Sequence, residues 1–180
     1  MSESFEFMGI SLWNDTFTKK RLTQELVYDS ETDIENVTNV LQGLLNSGWM
    51  IDDVYVNTNA CVTPVNATDS ETVLALLDAL IDETYDTTRI LVYGEAYGWH
   101  ARYFESGRYD REYNNGYYRE GDSREDVVQE HFYEFHQKMM EEIENTSYLS
   151  IDWDHTANQM EMDGWTFHER NGYTYLLTSE

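Results

Sequence analysis

The 180-residue chain has one cysteine, one proline, three lysines and no apolar run long enough to span a bilayer, and each shortage removes a class of protein. A single thiol, Cys61, cannot close an internal disulfide, so a disulfide-stapled extracellular scaffold is excluded and a reducing compartment is expected. Structural zinc needs more sulfur than this, and the histidines do not make up the deficit. His131 and His136 are five apart and do not share a helical face, while His100, His155 and His168 lack partners at ligand spacing. The N-terminal MSESFEFMG has neither the basic nor the apolar segment of a signal peptide, and no stretch approaches ~18 consecutive apolar residues. A cytoplasmic location with no membrane contact is the expectation.

Catalytic signatures are missing too. There is no G-x-S-x-G, phosphate loop or G-x-G-x-x-G, and Gly94 and Gly98 precede no evident helix with a phosphate-facing start. Adjacent acids such as Asp52 and Asp53, or Asp152 and Asp154, have the chemistry for acid-base work on a sugar, but among 35 acids such pairs arise from composition alone. The run DWDHTANQMEMDG offers Asp152, Asp154, Asn158, Glu161 and Asp163 as oxygen donors. Thr156 and Ala157 stand where a calcium loop requires a further donor and a glycine. Cys61 reads as a small, half-buried hydrophobe. No catalytic residue, metal or cofactor is expected.

What the chain has in excess is acid: 35 Asp and Glu against 11 Lys and Arg, a formal charge of −24. The charge is unevenly spread. Residues 1–88 carry net −13 and residues 125–180 net −11, while Arg89 to Arg124 is neutral, with six basic and six acidic residues among many tyrosines. A globule of this length is roughly 40 Å across. Duplex DNA carries one charge per ~1.7 Å, so 24 charges match about 40 Å of duplex. A field of that density repels nucleic acid and anionic membranes and attracts basic surfaces. Disorder is not the explanation, because 41% apolar and 14% aromatic residues suffice for a core.

In chain order, residues 4–13 alternate as a strand, and Phe17 to Tyr28 suits a second strand or a short helix. Ser30 or Thr32 caps a helix with apolar positions Ile34, Val37, Leu41, Leu44 and Leu45, closed by Gly48. Trp49 to Asn57 is a strand, and residues 57–68, with Pro64, form a loop. Thr68 and Glu71 make a capping box for a second helix on Val73, Leu74, Leu77, Leu80 and Ile81, which leaves Glu71, Asp78 and Asp82 on the opposite side. Thr87 to Tyr93 reads as a β-branched strand, Tyr97 to Phe104 as its returning neighbour, and residues 106–121 as an irregular aromatic loop with a turn at Asn115-Gly116.

Ser123 begins the longest helix, predicted to run unbroken to Asn145 with Val128, Phe132, Phe135, Met139 and Ile143 inward. Asp126, Glu130, Glu134, Glu141 and Glu144 then lie within about 80° of arc on the outer face, along about 27 Å of axis. Short strands follow at Tyr148 to Trp153 and Gln159 to Met162, then a hairpin of Trp165 to Arg170 and Tyr173 to Thr178 turning at Asn171-Gly172. The fold class is α+β: a mixed or antiparallel sheet, three amphipathic helices and a C-terminal hairpin. Residues 1–180 make one compact domain, or two subdomains, 1–88 and 125–180, joined by the Arg/Tyr-rich segment 89–124.

The interleaved Arg102-Tyr103-Phe104, Arg108-Tyr109, Arg111 and Tyr117-Tyr118-Arg119 have the residue types of a single-strand binder. Their neighbours Glu105, Asp110, Glu112 and Glu120 neutralise them, so pairing within the protein is the favoured reading and direct nucleic-acid binding is not. The helical acids are different. Like charges at i,i+4, such as Asp126/Glu130/Glu134, weaken a helix by a few tenths of a kcal/mol each, so another reason for keeping them is needed.

A small, strongly acidic, aromatic-rich α+β chain with carboxylates on regular elements resembles the DNA-mimic inhibitors of phages and mobile elements, of which antirestriction proteins are the best-known kind. The resemblance rests on overall charge and its dispersal over Glu71, Asp78, Asp82, Asp126, Glu130, Glu134, Glu141 and Glu144. It implies a cofactor-free, non-enzymatic protein whose partner is a basic DNA-binding complex of a host defence system, of restriction-modification or CRISPR type. Those residues would be the partner-binding set; a homodimer is compatible with the same reading. A halophilic protein acidic for solvation, and a small carboxylate-dependent enzyme or sugar-binding module, are the alternatives.

Overall fold

The computed structural model describes residues 2–15, 20–82, 84–100 and 118–178. The chain divides into two compact units, Met1–Asp110 and Arg111–Glu180, so the neutral central segment is shared between them. The class is α+β, with two antiparallel sheets and a C-terminal hairpin; six helices are present among the described residues where three are expected. Most of the expected return strand at 97–104 and of the loop at 106–121, with the Asn115-Gly116 turn, lies outside the described residues.

In the first unit, β1 (Phe5–Asp15), β2 (Arg21–Asp29), β3 (Met50–Thr58) and β4 (Val62–Val65) form one sheet in the order β2-β1-β3-β4. Alternation decides its faces: Met8, Ile10 and Leu12 of β1 and Val54 and Val56 of β3 point to one side and are fully buried. That side meets α1 (Ile34–Asn46), α2 (Ser70–Ile81) and α3 (Thr87–Tyr97), which contribute Val37, Leu41, Leu76, Leu77, Ile90 and Leu91. Burying each Leu or Ile contributes about 1.5–3 kcal/mol relative to exposure. The other side carries Phe7, Trp13, Glu25, Val27 and Tyr55, none of them buried. Gly9 is required there: a Cβ would stand 2.2 Å from the Tyr55 ring, which crosses it to donate its hydroxyl to Glu25.

Three expectations change in this unit. The residues expected to form a loop at 57–68 include β4, and Pro64 is tolerated because β4 is an exposed edge. The helix caps are Asp33 and Asp69 rather than Thr32 or Thr68, each carboxylate accepting a backbone N–H of the first turn. The expected strand at Thr87 to Tyr93 is the start of α3. Its residues are β-branched, but Asp86 caps it by accepting from the N–H groups of Thr88 and Arg89, and burial on nearly all sides hides the helical period. Glu3 ties this helix to the sheet, its N–H donating to Thr88 Oγ1 (2.7 Å) and its carboxylate accepting from Thr58 (2.8 Å).

In the second unit, β5 (Tyr118–Gly121), β6 (Thr166–Arg170) and β7 (Tyr173–Leu177) pair in the order β5-β7-β6. Asn171 (φ 51°) and Gly172 (φ 83°) turn the β6–β7 hairpin with the left-handed backbone that Asn-Gly favours. Leu176 of β7 packs with Val127, Val128, Ala157 and Met160, ringed by Phe132, Trp153, Trp165 and Phe167. The helices are α4 (Arg124–Phe135), α5 (Gln137–Glu144) and α6 (Trp153–Met162).

The long helix is therefore two. His136 (φ −132°, ψ 31°) leaves the helical region between them, which resets the inward stripe: Met140 is buried while Phe135 and Met139 are exposed. The expected strands at Tyr148 to Trp153 and Gln159 to Met162 are also corrected. Asp152 caps α6 by accepting from the His155 N–H, and Trp153, Ala157 and Met160 follow helical spacing. The same helix removes the suggested calcium loop, and no metal-binding cluster exists among the described residues. No helix among them is long and apolar enough to cross a membrane.

Candidate partner-binding surfaces

The eight acids named from the sequence fall on both units. In the first, Glu71 and Asp78 are exposed on α2, about 10 Å apart along the axis, and Asp82 caps its C-terminal end. Asp82 accepts the N–H (3.0 Å) and hydroxyl (2.8 Å) of Thr84, bonds that hold its pKa below the ordinary carboxylate value. No Lys or Arg among the described residues stands within ion-pair distance of these three.

In the second unit the outer face of α4 is partly neutralised. Arg119, projecting from β5 on the same side as Leu176, pairs with Glu130 (2.8 Å) and with Glu134. One guanidinium thus serves two carboxylates and leaves the trio with a single net negative charge. The i,i+4 repulsion expected between these two acids is thus offset by a cation from a neighbouring strand. The remaining three keep neutral partners: Asp126 accepts the Ser123 hydroxyl (2.6 Å), Glu141 the Gln137 amide (3.0 Å) and Glu144 the Tyr133 hydroxyl. The last bond spans the break at His136, fixing α5 against α4, and it raises the Tyr133 pKa. Each of these three carboxylates is held in place by a neutral donor.

The kink also gathers aromatic groups. His131 packs against Phe135 (5.0 Å between centroids) and Trp165 (4.8 Å). Burial lowers its pKa most, His136 and Arg119 add to that, and Glu134 opposes them. Arg124, in the first turn of α4, lies over Phe167 (4.6 Å) and pairs with Glu161 (2.6 Å) and Asn158 (3.1 Å) of α6. The described arginines of this unit serve in part as braces between sheet and helices.

Two acids that spacing does not reveal join this surface. Between β5 and α4 runs a groove lined by Glu120, Asp122, Asp126 and Glu130 together with Tyr133 and Tyr173, and no Lys or Arg lines it. Glu120 reaches it through the pairing of β5 with β7 beside α4, a long-range placement with no local signal, whereas Asp122 immediately precedes Ser123, the N-cap of α4. The groove combines negative charge with two phenolic rings, which suits the head and stem of an Arg or Lys side chain. No family model matches the chain, and no curated protein and no solved structure is similar to it.

Proposed function

We infer that the protein is an acidic DNA mimic, of the phage or mobile-element antirestriction kind, that inhibits a DNA-binding host defence enzyme by occupying its basic channel. The observation that carries the reading is the groove between β5 and α4, where Glu120, Asp122, Asp126 and the Arg119-paired Glu130 converge with two tyrosines. Glu71, Asp78 and Asp82 on α2, with Asp126, Glu141 and Glu144, extend the same chemistry over regular elements held by caps and hydrogen bonds. Such carboxylates stand where phosphates would, raise the on-rate for a basic cleft and engage its Arg and Lys side chains. Tyr133 and Tyr173 supply the apolar contact that charge alone lacks. Glu130 and Glu134 contribute less than the other acids, because Arg119 already holds them.

The test is DNA cleavage by restriction-modification complexes and CRISPR effectors with increasing amounts of the protein. Inhibition should saturate at a fixed stoichiometry, weaken steeply between about 50 and 200 mM salt, and be relieved by excess duplex DNA. Asp122→Asn with Asp126→Asn should weaken it at least tenfold while leaving the fold intact. Cleavage unaffected across the panel, or inhibition indifferent to salt, would end the reading.

A further inference from the structure

The first unit has an unused edge. Among the described residues β2 hydrogen-bonds to β1 alone, and its nine residues RLTQELVYD are exposed except for Leu26 and Tyr28, which are half-buried. Leu22 and Val27 stand 45% and 57% exposed on it, and no proline interrupts it. A long edge of this kind, with unpaired N–H and C=O groups, is a template for another strand. In a chain of −24 the strand is also nearly neutral: from Lys20 to Asp29 two cations balance two acids.

The sequence of β2 is complementary to itself. Laid antiparallel against a second copy so that all nine residues pair, Arg21 faces Asp29, Leu22 faces Tyr28, Thr23 faces Val27 and Glu25 meets its own symmetry mate. Charge meets opposite charge at both ends, Leu22 packs on Tyr28 inside them, and the mixed pairs Thr23/Val27 and Gln24/Leu26 flank the one like-charge contact, at Glu25. Moving the centre to Gln24 sets Arg21 against Val27 and Glu25 against Thr23, so within β2 the Arg21/Asp29 pairing is lost. The faces agree as well: Leu22 and Tyr28 lie on the side of Met8 and Ile10, so the buried layer continues across the junction. Arg21 already holds Asp52, and its five N–H donors suffice for a second carboxylate.

We propose that two copies of this chain associate through β2, antiparallel about a two-fold axis at Glu25, joining their four-stranded sheets into one. The pairing is independent of the polyanion reading and responds oppositely to salt. Two strongly acidic copies repel, so added salt screens the repulsion and tightens the pair, whereas it weakens binding to a basic partner.

Sedimentation of the full chain should show a reversible dimer that strengthens from about 50 to 500 mM salt. Glu25→Gln removes a like-charge contact and should tighten it about two- to fivefold; Val27→Asp, next to the partner's Glu25, should weaken it at least tenfold. The register has its own test. Facing Cα atoms are ~4.5–5.5 Å apart, within the ~4.4–6.8 Å that a disulfide spans. Glu25→Cys with Cys61→Ala should therefore give a covalent dimer on mild oxidation. Thr23→Cys with Cys61→Ala should not, since those positions would be roughly 13 Å apart. A chain monomeric at all salt concentrations, or equal cross-linking at both positions, would overturn the proposal.

Discussion

Replacing Arg119 by Met tests whether the acids of α4 are structural partners or a bare charged face. Methionine keeps an apolar stem beside Leu176 and removes only the guanidinium. Two ion pairs are lost, those to Glu130 and Glu134, in which the arginine side chain is 27% exposed and the carboxylates are about half exposed. Pairs this open contribute about 0.2–1 kcal/mol each. The freed carboxylates, four residues apart, then repel by about 0.2–0.5 kcal/mol more. The expected loss is about 1.5 kcal/mol. For a unit the size of Arg111–Glu180 that lowers Tm by roughly 6–12 °C. Calorimetry of the whole chain measures it, and hydrogen exchange at α4 and β7 assigns it to the right unit. In about 1 M salt, where screening acts over ~3 Å, the difference should shrink by half or more. An unchanged Tm at low salt would refute the bracing role. The same substitution unmasks two carboxylates, so inhibition of a basic partner should improve even as the unit loses stability.

Two further outcomes follow from packing and protonation. The His131 pKa lies below the ordinary 6.5, chiefly because the ring is buried, so the unfolded chain takes up its proton first as pH falls. Stability from the neutral ring is complete above about pH 6.5 and is lost as pH drops toward the depressed value; His131→Phe should flatten urea-measured stability between about pH 7 and 5. Gly94→Ala would place a Cβ 2.2 Å from the Trp99 ring, which is 9% exposed, and should cost about 1–3 kcal/mol with a red shift in tryptophan emission. An alanine variant as stable as the parent, with unchanged emission, would show that the ring moves aside freely.

What could be read from the sequence follows the range of each signal. The helix at Ile34–Asn46 and the Asn171-Gly172 hairpin depend on caps, periodicity and turn residues within a few positions, and both are found. The residues TTRILVY mislead because nearly all sides of this part of α3 are buried, so the helical period is hidden and β-branching dominates the reading. Trp153–Met162 was legible in principle, since Asp152 is a good N-cap, but Trp153 and the alternation of Gln159-Met160-Glu161-Met162 also suit short strands. The break at His136 has no proline or glycine to announce it. The acidic surface is half legible for the same reason: spacing locates Asp126, Glu130 and Glu134 on one helix, but not the strand register that brings Arg119 to two of them. That register also brings Glu120 beside the others.

Pro64 has an effect beyond its own strand. It lies in the four-residue β4, at the opposite margin of the sheet from β2, and it has no N–H to offer a newcomer. One margin of the sheet accepts a mate and the other refuses one. Assembly through a single two-fold stops at two molecules, because an open-ended filament would have to grow from both margins. In the proposed pair, the lone proline of the chain stands where it would limit further growth of the sheet.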